Sequence, residues 1–401
     1  MKHIRVLIFM LMLAMLGGPA HAEPFDPPAL YLTWQQDPTT TMTVQWHTLD
    51  DSRPSELAYR QADDHDAPWQ QAIGEHWPFP HTDRFIHAVE IVDLEPNTDY
   101  LFRFTDAGPE YRFRTMPADA SEPVVFVVGG DLMHRRTWME IVNEQMAARE
   151  PMFAVLGGDL AYEDGHPDKV DRLFDFFEAW KNTAVTPDGR IIPMIPLIGN
   201  HEVDGGWQRD RAKAPFFYDL FTMPGWPGYA TLDFGDYLSL IILDSGHIIP
   251  VDGEQSDWLD QQLAERRERG ITHVFPVYHV PAYPSVRHFY DGRSRDVRNH
   301  WPPIFDKHDV DIAFENHDHA YKRTHRLRDG QVDPTGTLYV GDGAWGVQLR
   351  PVKTGPEEEV WYLDEAHSIH HVIIVTLHEQ DRWLEAIDNE GKTFDRYPPE
   401  E

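Results

Sequence analysis

From Leu30 to Thr115, short segments alternate apolar and polar residues: LYLTW, MTVQWHT, SELAYRQ, RFIHAVEIVDL, DYLFRFT and YRFRT. Turn residues separate them and no amphipathic helical stretch interrupts them. Period-two alternation in runs this short predicts half-buried strands, and their succession over about ninety residues predicts an all-β sandwich. Beyond a Pro/Ala/Asp/Ser stretch at Met116–Pro123 the rhythm changes to apolar run, polar loop, helical stretch, apolar run. The apolar runs are VVFVVGGD (124–131), MFAVLGGD (152–159), IIPMIPLIGNH (191–201), YLSLIILD (237–244), HVFPVYH (273–279) and DIAFENHDH (311–319). One helix is expected with Trp138, Ile141, Val142 and Met146 on its apolar side, and a second with Val170, Leu173, Phe174, Phe177 and Trp180. A third runs from Ser256 to Arg269 and stops at Gly270. Such alternation indicates an α/β domain whose central strands are buried on both faces. From Thr337 the chain is again strand-rich (TLYVGDG, HHVIIVTL, WLEAIDN), and this part is expected to complete a second sheet. The domain reading is therefore a β domain over 23–117 and an α/β domain over 118–401.

Residues 1–22 stand apart from both. Lys2 and Arg5 precede the apolar run Val6–Leu16, which is followed by Gly-Gly-Pro and the small-residue pattern Ala20-His21-Ala22. This reads as a secretory signal peptide, since the run is shorter than the roughly 20 residues that span a bilayer. Export to the periplasm or the medium is expected, with no membrane anchor once the leader is removed.

Charge narrows the partners. Of 35 basic residues two lie in the leader, so 33 remain against 67 acidic ones, a formal charge of −34. A field of that sign disfavours nucleic acid and anionic membrane surfaces. It also repels phosphate-bearing ligands at long range, so a site for them needs local positive charge of its own. Cysteine is absent, which excludes disulfides and thiolate metal sites and leaves stability to a large core.

The chemistry lies where the apolar runs end. Polar clusters occur at Asp131 (GGD), at Asp159 to Tyr162 (GGDLAY), at Asn200-His201, at Tyr278-His279 and at Asn316-His317-Asp318-His319. Ligands of open α/β sheets gather beyond the carboxyl ends of the strands, so these clusters are expected to converge. Each is weak alone, because GGD is commonly a turn and Asn-His a loop cap. Together they offer carboxylate, phenol, amide and imidazole donors, a mixed oxygen and nitrogen set suited to iron, zinc or manganese.

The ordered set resembles the calcineurin-type metallophosphoesterase superfamily, and Tyr162, three residues after Asp159, resembles its purple acid phosphatase branch. Trp46 and the segment Leu94–Tyr100 resemble a fibronectin type III module, with Tyr100 as its corner tyrosine. The resemblance implies a metallophosphoesterase four-layer β-sandwich with flanking helices, of class α/β (α+β), preceded by an all-β fibronectin type III-like domain. It implies one metal on Asp131, Asp159, Tyr162 and His319, and a second on Asp159, Asn200, His279 and His317. Two carboxylates and a tyrosinate suit Fe(III) at the first position, and the second suits divalent iron, zinc or manganese. His201 matches the position that bonds the substrate phosphate or leaving oxygen, and His288 resembles a second such histidine, with Arg287 and His300 as alternatives in the same loop. The family's first motif commonly has Gly two residues after the Asp, where this chain has Met133; its last commonly begins Gly-His, here Asn316-His317. His134 reads as a solvated residue at a helix start, with an approach to the metals or the substrate as the alternative.

Hydrolysis of a small phosphomonoester is the function this implies, acid phosphatase-like, by metal-activated hydroxide. Phosphodiester hydrolysis on the same metal core is the sibling reading. An exported, non-catalytic binding protein with a degenerate phosphatase fold is the reading from another class.

Overall fold

The structure is a computed structural model, and it describes residues 24–399 apart from 65, 208–209, 224–227 and 356–359. The leader of residues 1–22 lies outside the described residues. No described helix is long and apolar enough to cross a membrane.

The first domain is two four-stranded sheets. One runs Leu30–Thr33, Met42–Thr48, Phe85–Ile91, Glu75–Pro78; the other runs Gln70–Ile73, Glu56–Gln61, Asp99–Arg103, Tyr111–Arg114. Gln70–Ile73 and Glu75–Pro78 were not expected from the sequence. They are largely exposed edge strands with no apolar face, so no alternation announces them. Trp46 is 1% exposed in the core between the sheets. The Tyr100 hydroxyl accepts the Glu95 N–H at 2.9 Å, the bond that defines a tyrosine corner.

The second domain carries two larger sheets face to face. The first, of six strands, is ordered Met194–Pro196, Ala154–Leu156, Val124–Gly129, His371–His378, Asp381–Asp388, Thr393–Tyr397. The second has seven strands: Ala230–Phe234, Leu238–Ile242, His273–Val277, Ile312–Glu315, Leu338–Gly341, Tyr321–Thr324, Leu363–His367. The first three strands of one, and the four from Leu238–Ile242 to Leu338–Gly341 of the other, are parallel. Phe126, Val128, Val155, Leu240, Val277 and Phe314 fill the space between the sheets. Helices Arg136–Ala147 and Asp171–Thr183 cover the outer face of the first sheet, and Glu254–Arg269 with two shorter helices covers the second. The layers are thus helix, sheet, sheet, helix.

Three expectations change. The strands after Thr337 do not share one sheet: Leu338–Gly341 joins the second, whereas His371–His378 pairs antiparallel with Val124–Gly129 in the first. Ile373 and Val375 face the inter-sheet core while Val372 and Ile374 face the helices. A strand apolar on both faces fits either sheet, so burial pattern alone cannot choose its partner. In Arg136–Ala147 the buried stripe is Met139, Val142 and Met146 with Asn143, while Ile141 is 41% exposed and Trp138 lies under the Arg135 guanidinium. Asn143 is satisfied there by Thr183 and the Trp345 indole. In Asp171–Thr183, Phe176 replaces Phe174 on the buried side, and Phe174 sits beneath Arg84 at 3.5 Å. The third helix ends at Gly270, whose φ of 74° gives the left-handed cap expected of glycine.

The two domains share contacts across the first sheet's helices. The Tyr31 hydroxyl donates to the Leu220 carbonyl at 2.6 Å, and its ring stacks on Phe177 at 4.4 Å.

Candidate metal centre

Each polar cluster sits just past the carboxyl end of a parallel strand. Asp131 follows Val124–Gly129, Asp159 and Tyr162 follow Ala154–Leu156, and Asn200 follows Met194–Pro196, all from the first sheet. His279 follows His273–Val277, and His317 and His319 follow Ile312–Glu315, from the second. The ends of both sheets therefore meet at one place.

The side chains that converge there form two groups. Tyr162 Oη lies 3.0 Å from Asp131 Oδ1 and 3.2 Å from His319 Nε2, and His319 Nε2 lies 3.1 Å from Asp131 Oδ1. Beside them, His279 Nε2 lies 3.2 Å from Asp159 Oδ2, 3.3 Å from Asn200 Oδ1 and 3.0 Å from His317 Nδ1. One donor atom each from Asp131, Asp159, His279 and His317, all buried, falls within 4.8 Å of the others. All seven side chains expected at the centre are thus brought together. The Asp131 carboxylate ties the groups to each other by accepting the His317 N–H at 2.8 Å.

The donor set fits cations. Asp159 Oδ2 is buried, and the group facing it is His279 Nε2, itself one of the donors. His279 Nδ1 faces the Gly157 carbonyl at 2.8 Å and His319 Nδ1 faces Gln348 O at 3.1 Å, which fixes those ring protons and turns both Nε2 lone pairs toward the cluster. Burial raises the Tyr162 phenol well above its ordinary range, and the carboxylates of Asp131 and Asp159 push the same way. Only a neighbouring cation reverses that. Burial opposes a charge on Asp159, yet His279, His201 and His317 outweigh it and hold the carboxyl well below the usual range. Burial likewise opposes a proton on His279, but Asp159 lifts its pKa to about 9. That pair is what a metal-free cluster relies on, and a metal must displace the proton.

The backbone gives an independent sign. Five of these seven residues, Asp131, Asp159, Tyr162, His317 and His319, have φ between 55° and 80°. Left-handed backbone is costly away from glycine, and the surrounding structure must impose it. Asn316 explains part of the local sequence. Its side chain lies so close to Gly130 and Gly157 that a Cβ on either would overlap it, and its amide donates to the Tyr278 carbonyl at 3.0 Å. The glycines of both GGD motifs are needed where Asn316 occupies the space between the loops.

Around this core the remaining histidines separate. His201 donates its N–H to Asp159 Oδ1 at 2.8 Å, its Nδ1 bonds the Asp164 carboxylate, and its ring lies 4.3 Å from Tyr162. His288 is exposed, its Nδ1 accepts the Tyr290 N–H, and no hydrogen bond or ring contact joins it to the cluster. Of its two alternatives, Arg287 reaches the His317 carbonyl at 2.8 Å, whereas His300 faces Asp296. His134 is not a freely solvated helix-start residue: its ring packs at 4.0 Å against Tyr162, and burial holds its pKa down at about 4.

Sequence reasoning missed two supporting carboxylates. Glu202 is buried and accepts the N–H groups of Asp159 at 2.9 Å, Leu160 at 2.7 Å and Gly199 at 2.6 Å, locking two of the ligand-bearing loops together. Asp164 orients His201 and also pairs with Lys169. The signal for both was adjacency, in the runs Asn200-His201-Glu202 and Tyr162-Glu163-Asp164.

Comparison with known proteins matches this geometry to a family. The sequence profile of the Calcineurin-like phosphoesterase family matches residues 81–321, and the chain belongs to that family. The profile of the Purple acid Phosphatase, N-terminal domain matches residues 27–115, which marks a purple acid phosphatase-like member. The chain is 27% identical to Purple acid phosphatase 22 of Arabidopsis thaliana over 64% of this chain and 58% of that protein. It is 26% identical to Purple acid phosphatase 21 of the same plant, over 74% of this chain and 67% of that protein. The chain thus spans about three fifths to two thirds of the length of these relatives. Its fold is that of purple acid phosphatase PPD1 from yellow lupin seeds, with a TM-score of 0.76 at 16% identity over 92% of this chain and 73% of that one.

Proposed function

We propose that the chain is an exported phosphomonoesterase that works with two metal ions, one held by Asp131, Asp159, Tyr162 and His319 and the other by Asp159, Asn200, His279 and His317. The observation that carries this is the two-part donor set, with the buried Asp159 Oδ2 facing His279 Nε2 among its donors. Fe(III) suits the group with the phenol and two carboxylates, and divalent iron, zinc or manganese the group rich in imidazole. When bound, the ions supply Lewis-acid charge on the ester and acidify water near neutral pH.

The chain's own residues supply the rest. His201 Nδ1 is held by Asp164, so its Nε2, 3.9 Å from Asp159 Oδ2, faces the cluster and gives a proton to the departing alkoxide. We assign that role to His201 rather than His288, which has no contact with the cluster. Arg350 donates to the His317 carbonyl at 3.3 Å and places positive charge where the acidic chain needs it for an anionic ester, while Arg287, which donates there at 2.8 Å, is paired with the Asp318 carboxylate. The leader pattern of residues 1–22 supports the reading of export.

Iron-loaded protein is expected to show a visible tyrosinate-to-iron absorption band and to release phosphate from 4-nitrophenyl phosphate faster than it cleaves bis(4-nitrophenyl) phosphate. Tyr162→Phe should remove the band. A band that survives the substitution sinks the Tyr162 assignment, and faster diester cleavage sinks the monoester reading.

A further inference from the structure

His134 stands half-buried between Asp131 and the helix Arg136–Ala147, and its main chain is pinned there. Its N–H donates to the Gly346 carbonyl at 3.0 Å, and the Gly346 N–H donates to the Asp131 carbonyl at 3.1 Å. The two segments run so close that a Cβ on Gly346 would overlap the Leu132 carbonyl. The loop continuing to Arg350 is also tied to the other sheet's ligand loop, where the Arg350 N–H donates to the His319 carbonyl at 3.1 Å.

Gln348, on that loop, sets two imidazoles in opposite tautomers. Its N–H donates to His134 Nδ1 at 3.1 Å, and its carbonyl accepts the His319 Nδ1 proton at 3.1 Å. A ring nitrogen that accepts an N–H carries no proton, so His134 is neutral with its proton on Nε2. His319 is the reverse, with its Nε2 lone pair 3.1 Å from Asp131 Oδ1 and 3.2 Å from Tyr162 Oη. His319 can therefore ligate a cation, whereas His134 can only donate a hydrogen bond.

That donor is unused within the protein. His134 Nε2 has no hydrogen-bond partner among the described residues, although its ring packs 4.0 Å from Tyr162 and 5.4 Å from His319. The nearby Asp131 carboxylate is already engaged by Tyr162, His319 and the His317 N–H. An acceptor for His134 has to come from what the centre binds. His201 packs on the same phenol ring at 4.3 Å, but its Nδ1 faces the Asp164 carboxylate, a partner that suits a ring gaining and losing a proton. Two different imidazoles thus border Tyr162, one equipped for proton transfer and one for a standing hydrogen bond.

Resting on the phosphoesterase reading above, we infer that His134 is a substrate-contacting residue whose Nε2–H donates to a nonbridging oxygen of the ester phosphate bound at the metal centre. A hydrogen bond to a charged oxygen is stronger than one between neutral groups, and a neutral imidazole supplies it without burying a second charge.

The test uses the full metal-loaded protein. His134→Phe keeps an aromatic ring against Tyr162 and deletes the N–H, and His134→Gln returns an N–H on a side chain of similar reach. Calorimetric binding of inorganic phosphate is expected to weaken about tenfold in His134→Phe and to return to within about threefold of the parent in His134→Gln, with metal content equal in all three proteins. On 4-nitrophenyl phosphate, kcat/KM should fall and recover in the same order. Nitrogen NMR of the metal-free parent at neutral pH should place the His134 ring proton on Nε2. Unchanged phosphate binding in His134→Phe, equal losses in both variants, a fall in metal content, a proton on Nδ1, or a loaded parent that binds no phosphate would overturn the donor role. His134-dependent phosphate binding in a parent that hydrolyses neither 4-nitrophenyl phosphate nor its diester would sink the phosphoesterase reading and leave the donor standing.

Discussion

Two regions of this molecule bury histidines, and they do opposite things with them. In the β-sandwich, His47 is fully buried with neither ring nitrogen hydrogen-bonded, and His87 stacks on Trp46 while bonding the hydroxyls of Thr48 and Ser55. Among the described residues no carboxylate bonds either ring, so burial drives their pKa values down to about 3 and about 4 and both stay neutral. In the centre, the carboxylate of Asp159 lies 3.2 Å from His279 and lifts it to about 9. The strands carrying the sandwich histidines are regular, whereas five of the seven residues of the centre hold left-handed backbone. A high histidine count therefore says little. Carboxylates among the imidazoles, on strained backbone, are what mark a metal site.

Substitutions on the two sides should separate accordingly. His201→Ala is expected to lower kcat on 4-nitrophenyl phosphate about a hundredfold, with metal content unchanged. A loss of metal along with the rate would make His201 a structural support instead of a proton donor. Glu202→Gln has one oxygen where the carboxylate offered two to three N–H groups, so titration of stripped protein should show metal affinity about tenfold weaker. Unaltered affinity would mean that the Asp159 loop holds itself.

The sandwich gives the smallest effect and the opposite kind. His47 and His87 stay neutral in the folded protein down to about pH 3 and 4, while the unfolded chain protonates them near 6.5. Their contribution is full above pH 6.5 and is lost as the pH falls toward the folded values, by up to about 1.4 kcal/mol per pH unit for each ring. His47→Leu should flatten the fall of the melting temperature between pH 6.5 and 4 without changing turnover at neutral pH. An acid profile identical to the parent's would show that His47 is already charged.

The sequence displayed the centre better than the scaffold around it. Every proposed ligand ends an apolar run, because parallel strands buried on both faces must be continuous and their loops must be polar. Sheet membership was not legible for His371–His378, since its two apolar faces suit either sheet. The stripe of Arg136–Ala147 was misplaced because Asn143 is buried by partners, Thr183 and Trp345, that are distant in sequence. Glu202 and Asp164 act through backbone N–H groups and a second side chain, and a residue-type pattern does not display such bonds. Asn316, a departure from the family's usual glycine, proved to be what the paired glycines accommodate.

Metal analysis of the purified protein, reconstituted with iron and zinc and dialysed, addresses the central claim most directly. The parent chain and His47→Leu should each retain two ions per chain, and Asp159→Ala should retain fewer than one. Two ions still bound to Asp159→Ala, or fewer than one in the parent, would contradict a shared-carboxylate centre.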